Sequence, residues 1–130
     1  MKPYPQPPFL GALVAGTAGA VAAIHVSPEG LVVGTSPGIG TDDADRWAAA
    51  MSALGAVSIN SVGIVGALTS GECPWGHSVI EDRLGQTLTL VGAPDRSMLA
   101  VVGAKGADLG QIAAQLIELA DQGLAAAVAA

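Results

Sequence analysis

Three carboxylates, Asp42, Asp43 and Asp45, crowd together just after Gly38 and Gly40 in the segment SPGIGTDDADRW, residues 36–47. Acids and glycines this close suggest two chemistries, a divalent-metal site and a phosphate-binding loop. Metal ligands must converge, whereas adjacent positions on a helix point about 100° apart, so Asp42 and Asp43 diverge. The phosphate reading needs a G-x-x-x-x-G-K-[ST] pattern that the segment lacks, and three acids would repel the phosphate. What remains is a helix start. Thr41 is placed to cap it, and the acids fall in a first turn whose dipole favours negative charge. Neither a metal nor a cofactor is expected.

The rest of the inventory for catalysis is thin. Cys73 beside Glu72, with His77 four positions on, offers a nucleophile and a base, or part of a metal site. No glycine elbow and no C-x-x-C accompanies them, and structural zinc usually takes four ligands. His25 reads as a hydrogen-bonded strand residue. Glu81 and Asp82 are adjacent, so on a strand they face opposite sides and cannot work as a pair. Arg83 is the one cation placed to meet a partner. No catalytic residue is assigned, and the chain is read as non-enzymatic.

The elements that carry these residues follow from pattern. Prolines in MKPYPQP forbid a helix over residues 1–7 and leave a flexible or extended arm. A short, glycine-weakened helix follows from Pro8, with Phe9, Leu10, Leu13 and Val14 on one side. AVAAIHV and GLVVGTS read as a hairpin turned at SPEG, where Pro28 and Gly30 suit the bend. A long helix runs from Thr41 to about Ala67. It carries two apolar stripes, Ala44, Trp47, Met51, Leu54, Ser58, Val62 and Val65 on one side, Ala49, Ala50, Ala53, Val57, Ile64 and Ala67 on another. A helix lying on a sheet needs one stripe. The second, rich in alanine, suits a close helix neighbour, and a second copy of the chain is the natural candidate. HSVIEDRL, QTLTLVG and SMLAVVG then read as a meander. Thr87 and Thr89 alternate with Leu88 and Leu90, the pattern of a sheet covered on one face. DLGQIAAQLIELADQGL is an amphipathic helix. The domain spans residues 8–124, with a frayed tail over 125–130.

Composition limits the partners. Charged residues make up 12% of the chain and hydrophobic ones 51%, so either the core is unusually large for the chain's size or part of the apolar surface is covered by a partner. The net charge is -6, with Lys2, Arg46, Arg83, Arg96 and Lys105 scattered, which disfavours nucleic acid and anionic membrane. A single cysteine suits the cytoplasm. Two stretches mimic membrane segments. FLGALVAGTAGAVAAI follows one lysine and a run of prolines, a poor signal peptide. Residues 47–71 carry no charge, but their Ala, Gly, Ser and Asn60 fit a soluble helix apolar on two faces.

The order helix, two strands, long helix, three strands, helix resembles the roadblock / dynein light chain family. The segments AIHVSPEGLVVGTSPGIGTDDADRWAAAMSAL and GQTLTLVGAPDRSMLAVVGAKGADLGQIAAQLIELA carry the likeness, which runs from about Phe9 to Gly123. The chain looks most like the short, MglB-like, stand-alone proteins of actinobacteria, although its first helix is shortened and rich in glycine. The resemblance implies an α+β domain with a five-stranded antiparallel sheet and a long helix packed on it. It further implies a homodimer in which third strands pair and long helices lie side by side. Ala49, Ala50, Ala53, Val57, His77, Ser78, Val79 and Glu81 would then be interface residues. It also implies a platform for a small Ras-like GTPase, contacted near Arg46, Ala49, Ala50 and Ala53. A small-molecule-sensing domain of related fold is the alternative.

Overall fold

A computed structural model describes residues 3–69, 71 and 74–122. Its elements are α1 (Pro8–Gly16), β1 (Ala20–Val26), β2 (Val32–Thr35), α2 (Thr41–Thr69), β3 (His77–Glu81), β4 (Thr87–Gly92), β5 (Met98–Gly103) and α3 (Leu109–Gln122). The strands form one antiparallel sheet in the order β2-β1-β5-β4-β3. This is the α-β-β-α-β-β-β-α order and five-stranded sheet read from the sequence.

Both faces of the sheet are covered. Because successive strand residues point to opposite faces, the core divides in two. Ala23, Val91, Leu99 and Val101 pack with Leu10 and Leu13 of α1 and Ile112 and Leu116 of α3. Ile24, Val26, Leu90, Met98 and Ala100 pack with Ala44, Ala48 and Met51 of α2. The expectation of a sheet open on its threonine side is therefore corrected. Thr87 and Thr89 are buried among the α1/α3 layer, and neither hydroxyl has a hydrogen-bond partner. The sequence pattern marks these positions as polar, but the crossing of α3 over β4 is what covers them.

The helix starts also differ from the sequence reading. The Gly40 carbonyl accepts the first bond of α2, from the Ala44 N–H at 2.9 Å, so Gly40 occupies the cap position and Thr41 is already helical. Asp42 and Asp43 lie in the first turn as expected. At α3, Asp108 caps through its side chain, accepting from the Gln111 N–H at 3.1 Å. His25 faces α1, edge-on to the Phe9 ring at 6.3 Å between centroids. The expected hydrogen bond is absent: neither ring nitrogen has a partner. Burial pushes its pKa below the usual histidine value, partly offset by the Asp95 charge.

The proline-rich arm, read from the sequence as flexible or extended, lies along β2. The Thr35 N–H donates to the Pro5 carbonyl at 3.0 Å, and the Tyr4 hydroxyl donates to the Asp45 carboxylate. The Pro7 ring sits where a side chain on Gly34 would be, 2.7 Å from that missing Cβ. One edge of the sheet is thus occupied by the chain itself.

Candidate dimer and partner interface

α2 travels across the sheet from one edge to the other. Ala44 and Ala48 pack over β1, Gly55 over Met98 of β5, and Ser58 reaches the far edge strand β3. Gly55 permits this close approach, since a Cβ there would fall 2.7 Å from the Met98 sulfur. β3 is the last strand, so the helix beyond Ser58 runs past the sheet. Ile59, Ile64, Val65 and Leu68 are accordingly exposed, Leu68 to 81%. By length and apolarity α2 passes the requirements of a membrane span, yet its first half is committed to the sheet.

The stripe read from the sequence as facing the sheet does so in its first half, with Ala44, Met51 and Ser58 buried and Trp47 and Leu54 packed against them. The second stripe is exposed throughout. Ala50, Ala53, Val57, Ile64 and Leu68 fall within about 60° of one another at about 100° per residue, on one flank of the helix. Ala49 lies on the outward ridge and Arg46 at the base of the flank, both exposed. No charged residue follows Arg46 on α2, so the flank is uninterrupted.

Beside this flank lies the free edge of β3. His77, Val79 and Glu81 oppose Val91, Thr89 and Thr87 of β4 and are exposed. Ser78 turns the other way and is engaged internally. Its hydroxyl meets that of Ser58 at 2.6 Å and accepts from the Trp75 indole N–H at 2.9 Å. Ser78 therefore anchors α2 to the edge strand. Ile80, 51% exposed and paired with Leu88, adds an apolar side chain on the α2 side of the edge. Ile64 belongs to the second stripe read from the sequence, whereas Leu68 and Ile80 were not singled out there. Leu68 repeats the Val57 position eleven residues on, and that spacing was readable. The exposure of Ile80 depends on β3 being the outermost strand, which was not.

Among the described residues, no three His, Asp or Glu side chains gather at metal-holding distance. Asp42 and Asp43 are exposed and Asp45 holds the tyrosine of the arm. Glu72 and Cys73 lie outside the described residues. Arg83 is exposed in the β3–β4 turn, where the Asp82 carboxylate accepts from the Leu84 and Gln86 N–H groups, both at 2.9 Å.

No family model and no curated protein sequence matches the chain. Solved structures do. A Roadblock/LC7 domain from Streptomyces avermitilis superposes with a TM-score of 0.68 at 23% identity, covering 89% of this chain and 92% of its own. A second Roadblock/LC7 domain from Streptomyces avermitilis is 30% identical, with a TM-score of 0.58, and the alignment covers 85% of this chain and 93% of that one. MglB of Myxococcus xanthus shares the fold at 16% identity and a TM-score of 0.62, over 92% of this chain and 82% of that one.

Proposed function

The chain belongs to the roadblock/LC7 family, and on that basis we propose that it is a cytoplasmic, non-enzymatic regulator, a homodimer that binds a small Ras-like GTPase and modulates its GTP hydrolysis. The observation that carries the reading is the uncovered apolar flank of α2 beside the free edge of β3. Fully burying a large aliphatic side chain is favourable by about 1.5–3 kcal/mol, and Val57, Ile64 and Leu68 are all more than half exposed. A second copy related by a two-fold axis beside β3 would cover these side chains. Its own β3 would pair with this one, and its α2 would lie antiparallel along the flank. The overhang beyond Ser58 would then rest on the partner. One of the solved MglB structures is described as having a tetrameric arrangement, so assembly through this fold has precedent.

The GTPase part rests on the family resemblance and on the surface such a dimer would present. Two α2 helices side by side would expose Arg46, Ala49, Ala50 and Ala53 around the two-fold axis. A symmetric platform meeting an asymmetric GTPase favours one GTPase per dimer. Switch loops order around the γ-phosphate, so binding should depend on the nucleotide. The test is co-purification of the folded dimer with the Ras-like GTPase encoded nearest to it, loaded with GDP or a non-hydrolysable GTP analogue. Association in one state, weakened by Ala53→Glu, supports the proposal. A confirmed dimer that binds neither form refutes the GTPase half.

A further inference from the structure

A cleft of about 520 Å³ opens on the opposite flank of α2, away from Val57 and Ile64. Gly55 and Met98 lie at its floor, Trp75 and Ile59 form apolar walls, and Ser52 and Arg96 stand at its rim. The Trp75 ring is fixed there. It packs on Gly92, where a Cβ would fall 2.9 Å from the ring, and its indole N–H is bonded to Ser78. The volume lies within the range of about 300–1,000 Å³ usual for small-molecule sites.

Arg96 is the unusual feature of this cleft. Three hairpin turns in the sheet share one construction, over residues 27–31, 82–86 and 93–97. In each, the first N–H bonds the fifth carbonyl and the fourth N–H bonds the first carbonyl. The fourth residue adopts a left-handed backbone. In two turns it is glycine, Gly30 at φ 84° and Gly85 at φ 86°. In the turn at the cleft it is Arg96, at φ 70°. A non-glycine residue there is strained, and strain of this kind concentrates at functional sites. Among the described residues nothing compensates it, since the guanidinium makes no hydrogen bond or ion pair with them. The neighbouring Asp95 carboxylate is taken up by Ser97, accepting from its N–H at 2.9 Å and its hydroxyl at 2.5 Å.

We propose that this cleft binds a small amphipathic carboxylate, an apolar chain or ring bearing a single acid group. The apolar part would lie between Trp75, Ile59 and Met98, and the carboxylate would meet the Arg96 guanidinium and the Ser52 hydroxyl. A cation with no partner among the described residues, beside an apolar wall in a chain of net charge -6, selects for one negative charge on an otherwise apolar ligand. A guanidinium also matches a carboxylate in two-point geometry. The cleft shares Ile59 with the overhang of α2 but contains none of Val57, Ile64 and Leu68 and none of the residues assigned to the GTPase, and its test needs neither partner.

Sodium octanoate, octanol and octylamine serve as probes, followed by NMR titration of the Trp75 indole N–H. Octanoate is expected to saturate and to shift that signal, with octanol binding weaker by about tenfold or more, the order of effect that losing one charge-assisted pair produces. Arg96→Gly should weaken octanoate to the octanol level and leave octanol unchanged. The same substitution should raise Tm, because glycine relieves the backbone at that position. Equal affinity for octanol and octanoate overturns the proposal, as does octanoate binding that survives Arg96→Gly. Absence of any saturable shift also overturns it and leaves the cleft as a seat for a polypeptide.

Discussion

The Ser58 and Ser78 hydroxyls meet at 2.6 Å and join the long helix to the last strand of the sheet. Ser78 accepts at the same time from the Trp75 indole at 2.9 Å. Removing Ser78 therefore strands two polar groups, whereas removing Ser58 strands one. Ser78→Ala should cost about 1–3 kcal/mol and Ser58→Ala about 1 kcal/mol in urea denaturation. The double variant should be less destabilised than the sum of the two, since both break one contact. Additive losses would mean that the hydroxyls do not interact.

The apolar flank of α2 has a direct readout in mass. Light scattering of the wild-type chain should give about twice its 12.7 kDa, with an interface near the standard size of roughly 1,600 Å². Val57→Asp and Ile64→Asp each place a charge on an exposed position that the sheet does not use. They should leave the fold intact by circular dichroism and shift the mass toward a single chain. A wild-type monomer at micromolar concentration would remove the basis for the platform.

His25 makes stability depend on pH. Its folded pKa is lowered by burial, so the folded protein disfavours the charged imidazole. Stability is then full above the ordinary value of 6.5 and declines as pH falls below it, because the unfolded chain takes up the proton first. One group limits the slope to about 1.4 kcal/mol per pH unit. Denaturation curves between neutral pH and about pH 5 should flatten in His25→Leu, which retains an apolar neighbour for Phe9. An unchanged slope in that variant would assign the effect to the carboxylates.

Thr89 is fully buried and its hydroxyl has no partner. Valine has nearly the same shape without the unpaired group. Thr89→Val should raise stability by about 1 kcal/mol, measured by thermal or urea unfolding. A loss of stability would show that the hydroxyl finds an acceptor in solution.

Much of this fold is written in local pattern. The period of α2, the proline and glycine of the β1–β2 turn and the alternation of QTLTLVG each report on a few neighbouring residues. They were enough for the order of elements and for a second stripe on the helix. Order and pattern together also carried the family. Helix caps were less legible, because Gly40 and Thr41 are both acceptable caps and only the carbonyl that accepts the Ala44 N–H distinguishes them.

Composition and periodicity thus determined that the chain makes eight elements, that one helix carries more apolar surface than a sheet can cover, and that no clustered cation awaits a polyanion. Tertiary structure decided which surfaces remain. β3 is an edge because β5 returns to pair with β1, and that return places the overhang of α2, Ile80 and Val79 in the open. Thr87 and Thr89 are buried because α3 crosses β4. Arg96 stands over a cleft because its turn comes to lie beside Ser52, Gly55 and Ile59 of α2 and the Trp75 ring. Each of these depends on contacts between residues distant in sequence, and residue type and spacing carry no record of which distant segment arrives.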